Sequence, residues 1–362
     1  MTDFIPLDAA NAHRQTYYGS TNPSSIEGTN YGLRLNRFGV YVEKTRGLTQ
    51  DFSGQPHVGD GNVFQDGIIK KGVDRLKVLG HRLNGFWRSE DDLNEYRADG
   101  TKVLRWEKEV VASDIFSADE LKELGIPATL SYLANGSPDA ELYSDEGARP
   151  YAVIEAKMRA YADHRFKSLL SNEPVPGLPG SGKRWYGDEL TNEVLPSEYD
   201  QCQWLMFNAD VNTCYLMAAF NMMTSDVRCY IVKRDDQRIL RLKRTVMKFH
   251  WRHVINEEEP SLEASEACEW YTRTREQLTG NFRKASDQEA ELAVRLVKAK
   301  AKAKWAKDAA DKLTVEAISA IGTDKGIDFG HDWGRISVRK GKTGKSSLVA
   351  RSLNSKLILE EN

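Results

Sequence analysis

Apolar residues recur at helical spacing from Val63 to Leu79. There Phe64, Ile68, Ile69, Val73, Leu76 and Leu79 form one stripe, and the pattern predicts a helix. The stretch before it is polar and rich in glycine. It predicts a short amphipathic helix over Ala9–Tyr17 with Asp8 as N-cap, then a loop over 48–62. After it the period shortens. Asp99-Gly100 signals a hairpin and Lys102–Ala112 a strand; Ser117 with Glu120 forms a capping box that opens a helix. Strands are expected at Thr129–Leu133, Asp139–Tyr143 and Pro150–Lys157, with a turn at Asn135-Gly136. A Pro/Gly-rich loop (172–188) leads to a helix at Ser197–Phe207 with Ser197 as N-cap. Strands at Thr213–Phe220 and Val227–Lys233 follow, then a helix from Asp235 to about Asn256. This is a mixed α/β core, a central sheet flanked by helices. Beyond it lie an acidic stretch, Glu257–Glu269, and a long helical segment, Ser261–Leu313. One short strand, Gly334–Val338, sits in a basic Gly/Ser-rich tail. The expected organisation is a core over 1–256 and a helical, basic C-terminal extension over 257–362, with no internal repeat.

Composition narrows the class. With 40% hydrophobic residues in 362, the chain has enough apolar mass for a buried core and is not wholly disordered. No apolar run approaches the roughly 18 residues of a membrane span, so no membrane partner is expected. The first residues lack the basic and apolar regions of a signal peptide. Cys202, Cys214, Cys229 and Cys268 form no CxxC pair, and no histidine stands beside them at zinc spacing. They read as free buried thiols of a cytosolic protein.

The net charge of −2 hides opposing regions. Between Asp236 and His253, Arg238, Arg241, Lys243, Arg244, Lys248 and Arg252 face a single acid, Asp236. From Arg283 to the end, 17 Lys/Arg outnumber 11 Asp/Glu. Such clusters either neutralise nucleic-acid phosphates or form solvated helix faces. Trp251 and Trp305 read as packing residues rather than base-stacking ones, and His250 and His253 as helix-surface residues.

The chemistry centres on Asp139 and the sequence Ile154-Glu155-Ala156-Lys157. Alternate residues of a strand share a face, so Glu155 and Lys157 point the same way. If the strand bearing Asp139 pairs with theirs, Asp139 and Glu155 converge on one cation. Mg²⁺ takes one or two carboxylates plus water and phosphate oxygens, and the Ala156 carbonyl is a further oxygen ligand. Lys157 would then orient the attacking water and stabilise charge on a phosphate. The plain alternative is a solvated strand face with cross-strand ion pairs. Gly177–Lys183 has the spacing of a phosphate-binding P-loop. Prolines precede it and Arg184 stands where the mechanism needs Ser or Thr, so it reads as a flexible loop.

In order and type these residues resemble the PD-(D/E)XK nuclease superfamily. Tyr199-Asp200-Gln201-Cys202-Gln203 resembles the Tyr-x-x-Gln-x-Gln segment of the lambda exonuclease/YqaJ-like viral recombinase family. Gly19-Ser20-Thr21-Asn22 through Gly28 resembles that family's opening motif, and Glu43-Lys44-Thr45-Arg46-Gly47 its EKTG segment. The resemblance spans about residues 14–256. Two departures stand out: Gln65 occupies the usual helix carboxylate, with Asp66 beside it, and Ala140 replaces a common Gly. Either Asp66 substitutes, or metal affinity rests on Asp139 and Glu155 alone.

The resemblance implies a restriction-endonuclease-like core and a Mg²⁺- (or Mn²⁺-) dependent DNA exonuclease resecting double-stranded ends 5′→3′ for recombination. Asp139, Glu155, Lys157 and Gln201 would be catalytic, with Gln65, Asp66 and Gln203 near the metal or its water. Arg14, Thr21, Lys183 and Arg184 would contact DNA phosphates. It also implies a homo-oligomer (a trimer), a single-strand annealing protein as partner, and the cytoplasm of a bacterial or phage-infected cell. Two alternatives on the same fold are a catalytically weakened DNA-binding or assembly protein and a restriction- or defence-type endonuclease.

Overall fold

The computed structural model describes residues 4–8, 11–28, 36–50, 56–81, 83–93, 95–96, 102–103, 105–146, 149–159, 186–220, 226–261, 286–321, 326–328, 335–340 and 346–351. The chain divides into two compact units, Met1–Arg275 and Glu276–Asn362.

The first unit is a mixed α/β structure. Its principal elements, in chain order, are β1 (Tyr17–Tyr18), α1 (Asn22–Glu27), α2 (Arg37–Arg46), α3 (Pro56–Val78), β2 (Phe86–Ser89), β3 (Glu107–Val111), α4 (Ala118–Leu124), β4 (Ser131–Asn135), β5 (Ala140–Tyr143), β6 (Ala152–Arg159), α5 (Pro196–Ala209), β7 (Thr213–Phe220), β8 (Val227–Lys233) and α6 (Asp236–Phe249). A five-stranded sheet has the order β8-β7-β6-β5-β2. Its β6–β7 pair is parallel and the other pairs are antiparallel. A three-stranded sheet has the order β1-β4-β3.

Strand alternation sorts the large sheet into two faces. Ala140, Leu142, Ala152, Ile154, Tyr215, Met217 and Cys229 pack on Ile68, Ile69 and Leu76 of α3. On the other face Val153, Cys214, Leu216, Ala218, Tyr230 and Val232 pack on Cys202, Leu205, Met206 and Ala209 of α5. Burial on both faces accounts for the nearly unbroken apolar run of β7. The far side of α5 presents Trp204 and Phe207 to a third cluster. That cluster holds Tyr18, Tyr132, four α2 residues, and Ile239, Leu242, Val246 and Met247 of α6. Helix α5 is therefore buried all round, as a helix between two packed layers must be.

Several sequence expectations hold. The Ser117–Glu120 capping box forms in both directions. Asp235 caps α6 by accepting from the Arg238 N–H at 3.0 Å. Asp8 accepts from Asn11 N–H at 2.9 Å, although the helix there is only His13–Thr16. Glu95–Tyr96 and Lys102–Val103 pair antiparallel, while the Asp99-Gly100 turn lies outside the described residues. Cys202, Cys214 and Cys229 are buried free thiols; Cys268 lies outside the described residues.

Others change. The expected loop over 48–62 is shortened at both ends: Leu48–Gln50 pairs with Phe4–Pro6, and α3 begins at Pro56. Proline's fixed φ favours the first turn of a helix. Pro196 does the same for α5, whose N-cap is Leu195 rather than Ser197. The turn expected at Asn135-Gly136 does not form: Asn135 ends β4, and the chain passes from there to β5 in a different sheet. A Cβ at Gly136 would lie 3.1 Å from Cβ of Asn208, so that glycine serves close approach to α5 rather than a turn. The strand expected over Lys102–Ala112 is split into Lys102–Val103 and β3. Helix α6 continues as a π-turn, His250–Ile255, which carries both histidines inward. His253 is 8% exposed and packs on Phe249, and His250 bonds the Tyr18 hydroxyl. Neither is a helix-surface residue.

The second unit holds one long helix, α7 (Asp287–Ile321), and an antiparallel sheet of β9 (Gly326–Asp328), β10 (Arg335–Lys340) and β11 (Ser346–Arg351). Of the helical segment expected over Ser261–Leu313, α7 covers Asp287 onward while 262–285 lie outside the described residues, and three strands stand where the sequence suggested one. Trp305 is 74% exposed, not packed. Among the described residues no helix is long and apolar enough to cross a membrane.

Candidate active site

Register brings the predicted acids together. Ala140 pairs with Ile154, so Asp139, one residue before β5, stands opposite Glu155 on β6. The Ala156 N–H donates to Asp139 Oδ2 at 2.6 Å. N–H and C=O of one residue in a strand project to the same edge, so the Ala156 carbonyl faces the Asp139 side as well. Glu155 is 2% exposed. Its Oε1 accepts from Lys157 Nζ at 2.5 Å and from Gln201 Nε2 at 2.6 Å. The Gln201 amide also reaches Ser20 Oγ at 3.4 Å. Three segments far apart in sequence thus meet around the Gln201–Glu155 bond: the Gly19–Thr21 loop, the β5–β6 pair and α5. Ser20 is the contact that sequence reasoning missed. Its signal was a place in the glycine-bounded 19–28 motif, where the neighbouring hydroxyl of Thr21 looks equally eligible.

Glu141, two residues on and 1% exposed, shares this face. Its carboxylate is held by the Trp106 indole N–H, the Tyr143 hydroxyl and Arg105 at 3.5 Å. It is a satisfied buried acid that braces the strand beside Asp139.

The remaining expectations diverge. Gln201 and Gln203 are two residues apart on α5, about 200° around a helix of 3.6 residues per turn, so only one can face Glu155. Gln203, fully buried, donates to the Lys233 carbonyl at 2.8 Å and accepts from Asp235 N–H at 2.8 Å. It fastens the β8–α6 junction. Gln65 and Asp66 lie on α3, the helix that covers the opposite sheet face, and Asp66 is exposed. Among the described residues no group of three or more His, Cys, Asp or Glu side chains is placed to hold a metal ion. Asp66 therefore does not complete a three-carboxylate set with Asp139 and Glu155. Thr21 is exposed, and its carbonyl accepts from Ser24 and Ser25 hydroxyls. Lys183, Arg184 and the P-loop-like Gly177–Lys183 lie outside the described residues.

Arg14 pairs with the buried Glu43 at 2.5 Å. Beside it Lys44 is fully enclosed and donates to the Arg14 and Tyr17 carbonyls, fixing the strand that leads to Ser20. Burial pushes the Lys44 ammonium down to about 8 in spite of Glu43. Burial, and then the Lys44 charge, push the His250 imidazole down to about 4 from its ordinary 6.5. Between those two values the unfolded chain binds a proton that the folded chain refuses. The neutral imidazole's contribution is therefore complete above 6.5 and is lost as pH falls toward 4. Urea midpoints of the wild type should fall more steeply over that window than those of His250→Asn; parallel curves would contradict it.

The basic helix spends much of its charge internally. Arg238 forms two bonds to Asp200, at 2.7 and 2.8 Å, and one to Glu27 at 2.6 Å. Arg244 donates to the Ile115 carbonyl and pairs with Glu120.

No family model and no curated protein matches the sequence. Among solved structures, an alkaline exonuclease (LHK-Exo) from Laribacter hongkongensis is 10% identical, with 72% of this chain and 94% of that chain covered and a TM-score of 0.35. Its complex with dAMP gives 13% identity, 68% and 92% coverage, and a TM-score of 0.34. The protein SSO0001 gives 14%, 68% and 88%, with 0.32. Likenesses at these scores are too distant to assign an activity, and the site geometry alone bears on it.

Proposed function

We propose that this chain is a metal-dependent deoxyribonuclease with a PD-(D/E)XK-type site, acting as an exonuclease on double-stranded DNA ends. One observation carries the reading. A carboxylate buried to 2% exposure, Glu155, is fixed by a lysine and a glutamine directly across the strand register from a second carboxylate, Asp139. Burying an acid is expensive unless it is paired, and a strand needs no such group for packing.

The donor set suits a hard cation. Asp139, Glu155 and the Ala156 carbonyl would hold Mg²⁺ or Mn²⁺, with water and phosphate oxygens filling the rest, as is usual for Mg²⁺. When bound, the ion would lower the pKa of a coordinated water and neutralise charge on the scissile phosphate. Gln201 keeps the Glu155 carboxylate oriented. Lys157 brings a positive charge to the face where the phosphate gains negative charge, the arrangement that stabilises a phosphoryl-transfer transition state. The water oxygen bonds to phosphorus as it gives up a proton to solvent, the opposite P–O ester bond breaks, and the leaving oxygen takes a proton from solvent. Resection polarity, a trimeric assembly and an annealing partner belong to the same proposal by family resemblance.

The test is linear 5′-phosphorylated duplex beside a covalently closed circle, each with Mg²⁺ or with EDTA. Degradation of the linear DNA alone, dependent on Mg²⁺, is expected; cutting of the circle would make the chain an endonuclease. No hydrolysis of either would favour a non-catalytic DNA-binding protein on this fold. The two-carboxylate ligand set is the observation on that side.

A further inference from the structure

A cavity of about 390 Å³ opens between the C-terminal end of α1, the start of α2 and the outer face of α6 with its π-turn. Four cationic side chains line it, Arg37, Arg241, Lys248 and Arg252, against one carboxylate, Glu27. The plain account of each is structural. Arg37 donates to the Ile26 carbonyl, Arg241 bonds Glu27 at 3.1 Å, and Arg252 pairs with Glu258. Those accounts leave charge over. Glu27 is also bonded to the Thr245 hydroxyl and to Arg238, whose charge Asp200 already meets. The Lys248 ammonium stands 5.8 Å from the centre of the Phe116 ring and shares the field of one carboxylate, Glu120, with Arg244, which already pairs with it. The head groups are accessible, with Arg241 71% and Arg252 62% exposed. Cations gathered in a concave wall focus their field on whatever enters it, and guanidinium forks match phosphate oxygens. Arg37 comes from α2 and the other three from α6 and its π-turn, so two elements bring these cations to one concavity.

We propose that this cavity is a phosphate-ester subsite, distinct from the Asp139–Glu155 pair, that grips a backbone phosphate of bound nucleic acid. The inference rests on the reading of the chain as a DNA-acting enzyme. Helix α1 connects the two places: Ser20, just before it, touches Gln201, and Glu27, at its end, lines the cavity. Its six residues rise about 9 Å, and a strand advances about 3.4 Å per nucleotide. A strand with one phosphate at Glu155 reaches the cavity within a few nucleotides. The same chemistry would also suit a free mononucleotide.

The experiment measures binding, not cleavage. Full-length protein in EDTA is titrated with a 5′-hydroxyl duplex oligonucleotide across a salt series and, separately, with a 5′-mononucleotide. The wild type is compared with Lys248→Gln/Arg241→Gln and with Lys248→Arg. The double variant should weaken oligonucleotide binding about tenfold, equally for unrelated sequences, and flatten the salt slope by about 1 to 2. Lys248→Arg should retain wild-type affinity. Loss confined to the mononucleotide would keep the subsite and assign it to free nucleotide. Unchanged affinity in both arms, or a Lys248→Arg as weak as the double variant, overturns it. Because no hydrolysis is read, this failure leaves the proposed nuclease activity standing, and an inactive wild type leaves the subsite standing.

Discussion

Glu155→Gln is expected to remove Mg²⁺-dependent DNA hydrolysis by about 10²- to 10⁴-fold, the scale set by one positioned acid–base or electrostatic group. The substitution keeps the size of the side chain and an oxygen for Gln201 and Lys157 to bond. What it removes is the negative charge that a divalent cation needs, and no third described carboxylate stands ready to replace it. The fold should survive, because Val153 and Ile154 on either side of the sheet are fully buried and untouched. Rates on linear duplex, melting temperature and DNA affinity in EDTA separate the cases. Activity within about tenfold of wild type, with melting unchanged, would remove Glu155 from the site.

The largest loss of stability should come from Trp204→Ala, at about 3–5 kcal/mol, the range for emptying a buried aromatic site. Trp204 is fully buried, stacked on Tyr132 at 6.5 Å and tilted against Phe207 at 5.6 Å. Its indole N–H lies 3.1 Å from the Tyr18 carbonyl and 3.2 Å from that of Asn135. Tyr18 is two residues from Ser20, Asn135 four from Asp139, and Trp204 itself three from Gln201. One side chain therefore ties together the three segments that carry the site. Trp204→Phe fills most of the volume but leaves those carbonyls without the donor, for a cost of about 1–3 kcal/mol. Urea unfolding of the three proteins measures both effects. Domains are stable by only about 5–15 kcal/mol, so the alanine variant should be close to unfolding at moderate urea. A stability within about 1 kcal/mol of wild type would show that the surrounding side chains collapse into the space.

Within single elements the sequence was a good guide. The alternation of Val153, Ile154, Glu155, Ala156 and Lys157 fixes which side chains share a face, because the pleat has a period of two. The Ser117–Glu120 box was legible because both partners lie within one turn of helix. The buried polar residues of α5 were harder. Tyr199-Asp200-Gln201-Cys202-Gln203 looks like an ordinary mixed helix face, yet Asp200, Gln201 and Gln203 each meet a different element.

By itself, then, the sequence determined strands β5 to β8, most helices, and the shared face of Glu155 and Lys157, but not β2 or the short strands at Phe4–Pro6 and Leu48–Gln50. Only the tertiary structure decided that Gln201, not Gln203, bonds Glu155, and that Ser20 joins them. It likewise decided that α3 takes Gln65 and Asp66 to the opposite face, and that Asp200 and Glu27 bind Arg238. The reason is range. Pleat and helical periodicity act between residues a few positions apart. Which faces of two elements meet depends on how apolar stripes from distant segments pack, and no local pattern contains that.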